Sequence, residues 1–414
     1  MKRFIFAFFI LFVSLSILLV LASAIPSSLL KQNVGNSLRV FQTEGQYPSV
    51  GVVGRQIVLD DYTDSLMMNT AYSVNSLEPV RSAVADVRYA SSPQEINQIV
   101  NLESSYQGKK QNPVSYERYW HGYLTFLRPA LTVLSYSEIR ILLLIISYVL
   151  CAAFLYLVGK KIGVIQAIIF FTGLQSVDFF YLGQSLQFSG VFLIGLSTSI
   201  YLLLTERKNT SQYLLFFITG AATSYVDLLT APLVSLGLLL TTAYLLRKKR
   251  NVVALFGSWS VGYALFWISK ILLAQVTYFP HAVQSGFSQM VDRMVGKADA
   301  NFTLLTTIKL NLFQLIGYAR QSKIAVLVGV IILTLFLIRY HALKKEKTGQ
   351  VVPLLIIAVI PYLWYLIVAN HSYLHVWYTY RAQLMSVTAF LLILSEFTNW
   401  KKVQQDWTKL KSLR

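Results

Sequence analysis

The sequence has few charged residues and a single cysteine, and each shortage excludes a class of protein. Charged side chains make up 13% of the 414 residues, against about 25% in ordinary soluble domains, while 55% of the residues are hydrophobic. One soluble core cannot hide so much apolar surface, which excludes a soluble enzyme and a disordered chain. Cys151 has no cysteine partner, which excludes disulfides and cysteine-ligated metal sites. The sequence therefore predicts a polytopic membrane protein.

Acidic residues are also scarce, but the resulting positive charge is unevenly distributed. The chain has 36 Lys and Arg and 18 Asp and Glu, a net charge of +18. Between Pro26 and Ser137 there are nine residues of each sign, so the whole excess lies in the apolar remainder. Basic residues of membrane proteins gather in cytoplasmic loops. We therefore expect no nucleic-acid partner.

Ten apolar runs predict about ten transmembrane helices. The first, from Phe4 to about Ala24, is longer than a signal-peptide core of about 7–15 residues and can span a bilayer, which takes about 20 residues. We expect a retained signal anchor, although Ala22-Ser23-Ala24 resembles a cleavage site and leaves a cleaved signal peptide as the alternative. The other runs lie near 139–159, 162–177, 186–205, 212–228, 232–246, 252–277, 324–340, 351–369 and 383–396.

Basic clusters fall on every second connection between these runs. They are Lys160-Lys161, Arg207-Lys208, Arg247 to Arg250, Arg339 to Lys347 and the tail from Lys401, all on the side of Met1. Because Lys and Arg accumulate in cytoplasmic loops, this side is predicted to be the cytoplasm. A multi-pass protein of the plasma membrane with both termini in the cytoplasm follows, with the lipid bilayer as its partner.

The fold class predicted is an all-α polytopic membrane protein with a large first extracytoplasmic loop. The predicted segments are transmembrane helix 1 (1–25), extracytoplasmic loop 1 (26–137), transmembrane helices 2–7 (138–277), a second extracytoplasmic loop (278–323), transmembrane helices 8–10 (324–398) with an outer connection at 370–381, and a basic cytoplasmic tail (399–414).

Polar residues that can carry chemistry concentrate at the predicted outer side. Asp60-Asp61-Tyr62-Thr63-Asp64 follows an apolar triplet, and on a helix Asp60 and Asp64 would share a face. Grouped carboxylates can act as a general base or bind a hard divalent cation. The alternative is a helix N-terminus, which acidic residues stabilise by capping and through the dipole.

A second group lies where loop 1 re-enters the membrane. Tyr119, Trp120 and Tyr123 are typical of an aromatic interface belt. A belt does not account for the ionisable residues among them, which could line a sugar or phosphate pocket. These are Glu117, Arg118, His121 and Arg128.

Three ionisable residues lie near the outer ends of predicted spans: Asp178, Asp227 and Lys270. Such groups are costly at membrane depth and usually face a cavity or a partner. The aspartates could instead be buried against a structural cation. Lys270 could snorkel to the interface or bind a lipid phosphate.

The last outer connection holds His371, His375 and Arg381. The two histidines, four residues apart, would share a helical face and could ligate a metal, although two ligands do not complete a site. Alternatively, His375 and Arg381 could bind a phosphate, the arginine by paired hydrogen bonds. A third interpretation is an aromatic interface belt with incidental histidines.

These features together resemble the GT-C superfamily of integral-membrane glycosyltransferases. The segments Leu59–Asp64, Tyr119–Tyr123, Tyr225–Pro232 and His371–His375 are similar to a bacterial family of GT-C-like membrane proteins. The adjacent Asp-Asp differs from the spaced Asp-x-Asp or Glu-x-Asp of many members. This difference leaves open whether Asp60 and Asp61 hold a divalent cation such as Mg or Mn.

The resemblance implies inverting transfer of a sugar from a polyprenyl-phosphate donor to a glycan or glycolipid acceptor on the outer membrane face. Asp60 or Asp61 would take the proton of the acceptor hydroxyl. Lys270, His375 and Arg381 would stabilise the departing phosphate. The sequence also lacks a nucleotide-binding Gly-rich motif, which fits a lipid-linked donor.

Two other functions are compatible with a polytopic chain. A polysaccharide polymerase would be expected to carry an arginine-rich outer loop nearer the C-terminal half, whereas the large loop here is early and neutral. A transporter or lipid flippase would be expected to have polar residues near mid-bilayer, broken spans and repeats. The clustering of polar residues at one face favours the glycosyltransferase.

Overall fold

The computed structural model describes residues 2–52, 55–109, 112–205, 209–246, 251–296, 298–317, 320–341 and 348–412. The chain is about 78% helical and the described residues form no closed sheet. The prediction of an all-helical fold is confirmed at this level.

The helices in chain order are α1 (Lys2–Ser23), α2 (Lys31–Glu44), α3 (Asp61–Tyr72), α4 (Pro79–Ala85), α5 (Gln98–Tyr106), α6 (Leu124–Leu131), α7 (Tyr136–Lys161), α8 (Val164–Ser176), α9 (Phe179–Leu182), α10 (Leu186–Thr205), α11 (Asn209–Val226), α12 (Leu233–Leu246), α13 (Val252–Thr277), α14 (Ala282–Val295), α15 (Leu304–Ile316), α16 (Arg320–Tyr340), α17 (Thr348–Ile367), α18 (Ala369–Leu374), α19 (Val376–Thr379), α20 (Leu384–Glu396) and α21 (Trp400–Ser412). Two antiparallel strand pairs lie in loop 1: the hairpin of β1 (Ser49–Val52) with β2 (Arg55–Val58), and β3 (Arg88–Ala90) with β4 (Asn112–Val114), which follows α5.

Four helices, α1, α7, α10 and α13, are long and apolar enough to cross a membrane. The other apolar helices of the described chain are shorter: Val164–Ser176, Leu233–Leu246, Leu304–Ile316, Leu327–Tyr340 and Val351–Ile367. The 13 residues of α8 extend about 20 Å, less than the bilayer core of about 30 Å. The helices are those of a membrane protein, but ten spans are not confirmed.

Loop 1 is a packed unit attached to the bundle. The Trp120 indole donates a hydrogen bond of 2.7 Å to the Phe266 carbonyl of α13, and the two rings stack with centroids 5.0 Å apart. Arg128 of α6 donates to the carbonyls of Ala22 and Ile25 at the end of α1 and to that of Ala71 in α3. A cation at a helix C-terminus stabilises the terminal carbonyls, so Arg128 fixes loop 1 to α1.

The bundle depends on close helix contacts through small residues. A Cβ on Gly220 of α11 would lie 2.0 Å from the Trp259 carbonyl oxygen, and a Cβ on Gly262 of α13 would lie 2.1 Å from the Phe217 carbonyl oxygen. Glycine at these positions lets two backbones touch, as small residues do in membrane helices. The loop-1 unit packs on α13, one of these two helices, through Trp120 and Phe266.

Candidate functional site

Five connections between helices meet at one end of the bundle. Their contacts include the Tyr380 hydroxyl on Asp178 Oδ2 at 2.5 Å and His371 Nε2 on the Leu229 carbonyl at 2.8 Å. The polar groups that the sequence placed on a common side are therefore brought together. We call this end the loop face, formed by residues of 26–137, 175–185, 227–232, 278–317 and 370–381.

The three aspartates of loop 1 have different surroundings. Asp60 is the N-cap of α3 and accepts from the Thr63 amide at 3.0 Å and the Thr63 hydroxyl at 2.8 Å. The helix N-terminus interpretation therefore describes its geometry. Its backbone is not helical, so Asp60 and Asp64 do not share a helix face.

Asp61 and Asp64 point towards α7 and α10. Asp61 Oδ1 accepts from Arg140 at 2.7 Å, and Arg140 also pairs with Glu44. The Tyr136 hydroxyl lies 3.0 Å from Asp61 Oδ1 and 2.6 Å from Asp64 Oδ2. Burial, reinforced by the neighbouring Asp64, raises the pKa of Asp61.

Asp64 is saturated by hydrogen bonds from the start of α10. Its carboxylate accepts from the Ser185 hydroxyl and from the backbone amides of Leu186 and Gln187 at 2.9–3.2 Å. A carboxylate at a helix N-terminus satisfies free amides and interacts favourably with the helix dipole. Asp64 therefore anchors α3 to α10 and has little capacity left for a ligand.

Asp60 instead belongs to a cluster of cations and aromatic rings. Burial raises the pKa of Asp60 to about 6, while the hydrogen bonds from Thr63 and the nearby Arg381 lower it. Burial also raises the pKa of Tyr378, which Asp60 raises further and Arg293 opposes. The Tyr378 hydroxyl therefore interacts electrostatically with a carboxylate from loop 1 and with an arginine from α14.

Arg293 and Arg381 are the cations of this cluster. Arg293 Nη1 donates 2.8 Å to His371 Nδ1, and Arg381 Nη1 donates 3.1 Å to the Trp377 carbonyl. The Arg381 guanidinium lies 4.0 Å from the centroid of the Phe188 ring. The Nε of each arginine is buried without an acceptor, and neither pairs with a carboxylate of the described chain.

The histidine pair is held by neighbours as well. His371 Nδ1 accepts from Arg293, so its Nε2 donates to the Leu229 carbonyl. His375 stacks on Tyr378 with ring centroids 5.1 Å apart, and its buried Nδ1 has no partner. Burial and Arg293 lower the pKa of His375 to about 4. It is therefore neutral at pH 7 and can hydrogen-bond a ligand without carrying charge.

In the group where loop 1 re-enters the membrane, two residues are held by hydrogen bonds within the protein and two have buried polar atoms without a partner in the described chain. His121 contacts the Tyr123 hydroxyl at 2.9 Å and the Tyr116 carbonyl at 3.1 Å, and burial lowers its pKa to about 3. Arg128 is saturated by carbonyls. Glu117 Oε2 and Arg118 Nε are buried without partners, and the Arg118 guanidinium lies over the Tyr116 ring.

Lys270, Asp227 and Asp178 all form hydrogen bonds with other groups of the protein. Lys270 Nζ donates to the carbonyls of Ala83 and Val84 and to Asp86 Oδ2, at 2.7–3.0 Å. Its three hydrogens are used, so the structure leaves none for the lipid phosphate that the sequence assigned to it. Asp227 accepts from the Thr230 amide and caps the following turn.

The carboxylates do not fit a divalent cation. Among the described residues, no group of three His, Cys, Asp or Glu side chains has suitable geometry. Both oxygens of Asp60 accept from Thr63, whereas Asp61 Oδ1 accepts from Arg140, so the two carboxylates are held by different partners. His371 is already bonded through both ring nitrogens.

Comparison with known proteins identifies no relative. No family model, curated protein or solved structure matches the chain. The function must therefore be inferred from the chemistry of the loop face.

Arg293 is the residue that sequence reasoning missed. It lies in the second loop, outside every motif recognised above. The available signal was its place in an amphipathic stretch, 282–295, whose other residues are mainly apolar or small. Its proximity to His371, 78 residues away, cannot be read from local spacing.

Proposed function

We propose that the chain is a glycosyltransferase of the plasma membrane that moves a sugar from a polyprenyl-phosphate donor to a cell-surface glycan or glycolipid. The active site is the cluster of Asp60, Arg293, His371, His375 and Arg381 at the loop face, which faces outside the cell. About ten spans, completed by the shorter apolar helices, and two cytoplasmic termini belong to the same proposal.

The observation that carries the proposal is a pair of arginines, Arg381 fully buried and Arg293 half-buried, that form no ion pair with a carboxylate of the described chain. Removing a cation from water costs several kcal/mol unless it is paired. Arg140 has two carboxylates and Arg128 has three carbonyls, whereas Arg293 and Arg381 each make one hydrogen bond in the described protein, to His371 and to the Trp377 carbonyl. A bound phosphate would supply the missing charge and acceptors.

Asp60 is the proposed general base. A general base needs a pKa near the operating pH and a place near the reacting groups. Asp60 has a pKa of about 6 and interacts electrostatically with Arg381. Thr63 fixes the carboxylate through two hydrogen bonds. Asp61 is the alternative base: Arg140 pairs with its Oδ1, while its Oδ2 is buried and accepts no hydrogen bond within the described chain.

In the proposed reaction, Asp60 accepts the proton of the acceptor hydroxyl as that oxygen attacks the anomeric carbon from the face opposite the phosphate. The bond between the anomeric carbon and the phosphate oxygen breaks, and its electron pair leaves on the phosphate. Arg293 and Arg381 stabilise this growing negative charge by donating hydrogen bonds. The configuration at the anomeric carbon is inverted.

Binding of a polyprenyl phosphate to the purified full chain tests the proposal. Arg293→Gln and Arg381→Gln should each weaken binding by about 10- to 100-fold, since a hydrogen bond to a charged group contributes about 1.5–3 kcal/mol. The matching polyprenol, which lacks the phosphate, should bind poorly to every variant. Arg81→Gln, which removes an exposed arginine paired with Glu78, is the control. Equal binding of polyprenol and polyprenyl phosphate would contradict the proposal.

A further inference from the structure

Helix α14 has an apolar face that no part of the described protein covers. Val283, Phe287, Val291 and Val295 lie four residues apart and have exposed fractions of 43%, 61%, 38% and 68%. Residues four apart form one stripe on a helix. Four large apolar side chains in a row are unfavourable in water, so this face requires an apolar medium.

The position of α14 indicates what that medium is. α13, a helix long and apolar enough to cross a membrane, ends at Thr277, and α14 begins five residues later at Ala282. α13 carries an exposed apolar stripe of its own up to this end, made of Leu265, Ile268, Leu272 and Val276. The stripe of α14 therefore follows directly on a surface that faces lipid tails.

The opposite face of α14 is fixed to the protein. Ala282 is buried, and Gly286 lies so close to α13 that a Cβ there would be 2.7 Å from Ile271 Cδ1. At the other end, Asn370 Nδ2 donates 2.9 Å to the Asp292 carbonyl and Arg293 donates to His371. On a helix, Arg293 is about 160° around from Val291. The helix thus separates an apolar surface from the arginine cluster.

We propose that α14 is an interfacial helix, which embeds its apolar stripe in the outer leaflet and presents Arg293 from its other face to the phosphate of a lipid that enters from the membrane. Amphipathic helices of this kind lie in the interface with the apolar face about 5–10 Å deep. The inference rests on the proposed function for the identity of the lipid. It adds the route of entry and a role for a helix that carries no recognised motif.

Spin labelling measures where α14 lies, independently of any sugar transfer. In proteoliposomes of the Cys151→Ser chain, labels at Phe287→Cys and Val291→Cys should be reached mainly by oxygen, which partitions into lipid. A label at Asp292→Cys, an exposed position about 140° around the helix from Phe287, should be reached mainly by a water-soluble nickel chelate. Equal access of the chelate to all three positions would overturn the placement of the helix.

A binding experiment distinguishes a lipid phosphate from a free one. Phe287→Glu, which places a charge in the stripe, should weaken binding of a long-chain polyprenyl phosphate about tenfold while leaving a water-soluble short-chain isoprenyl phosphate nearly unchanged. Equal loss of both, or of neither, would show that the helix does not serve lipid entry. Should the labels report lipid while polyprenyl phosphate fails to bind, the proposed function fails and the interfacial helix stands.

Discussion

Arg128 and Arg381 are both fully buried, yet their guanidinium nitrogens have different surroundings. Each nitrogen of Arg128 donates to a backbone carbonyl, so its role is complete without a ligand. Arg381 has one such bond, a phenylalanine ring and an Nε without an acceptor. The sequence made both arginines candidates for ligand binding. Their hydrogen-bond partners in the structure distinguish the structural arginine, Arg128, from the candidate binding arginine, Arg381.

This difference predicts opposite effects on stability. Arg128→Gln should lower the free energy of unfolding by about 3 kcal/mol or more, because it leaves buried carbonyls without charged donors. Arg381→Gln should leave it nearly unchanged, since the buried guanidinium makes one hydrogen bond and no ion pair within the described chain and its burial is itself costly. Thermal unfolding of the purified chain in detergent measures both. A loss at Arg381 as large as that at Arg128 would show that Arg381 is a structural residue.

Asp60 predicts the pH dependence of sugar transfer. Burial raises its pKa from 3.8 to about 6, so the rate should fall as the pH drops through about 6 and the base becomes protonated. The Thr63 hydroxyl favours the carboxylate and lowers this pKa, so Thr63→Val should move the acidic limb to higher pH. Thr132→Val, which removes an exposed hydroxyl bonded to the Pro129 carbonyl, should not. An unchanged limb in Thr63→Val would remove Asp60 as the titrating group.

At the scale of elements, the start of α3 could be predicted from the sequence, whereas the directions of its three aspartates could not. The start of a helix at the acidic motif was recognised as one interpretation, because capping residues have a local signature. The expected pairing of Asp60 with Asp64 assumed helical geometry at Asp60, whereas a cap residue is not helical. The N-cap turn holds Asp60 on Thr63, whereas the helix directs Asp61 and Asp64 to α7 and α10.

The link between α4 and α13 could not be predicted at all. Lys270 and Asp86 are 184 residues apart and their side chains are fully buried, with Nζ and Oδ2 2.7 Å from one another. No local sequence pattern predicts a pair of residues so far apart in the chain. Sequence reasoning recognised that a lysine inside a span needs a partner, but it named a lipid phosphate, since the protein partner lies in a distant loop.

The pair predicts a strong coupling between two substitutions. Lys270→Met should destabilise the chain by about 3–5 kcal/mol, because a buried carboxylate loses its partner. The double variant Lys270→Met with Asp86→Asn should recover part of this loss. A double-mutant cycle based on denaturation measures the coupling. Additive losses would show that the two side chains stabilise the fold independently.

At the scale of the whole molecule, the convergence of distant connections was predictable from charge. Alternating basic clusters placed five connections on one side before any contact was known, and residues such as Asp178 with Tyr380 and Leu229 with His371 do meet there. The number of spans was less predictable, because α8 and α12 are apolar but shorter than a bilayer core. Hydropathy marks apolar runs and does not fix where each helix ends.

The sugar composition of the cell-surface glycans tests the central claim most directly. The host would carry the native chain, Asp60→Asn, or the control Glu103→Gln, which changes a carboxylate bonded only to Gln107 on the surface of α5. At equal membrane levels, Asp60→Asn should remove one side-branch sugar with glycan chain length intact, while the control should match the native chain. Collapse to single repeat units would indicate a polymerase instead. Unchanged sugars and chain lengths in Asp60→Asn would contradict the assignment of Asp60 as the catalytic base.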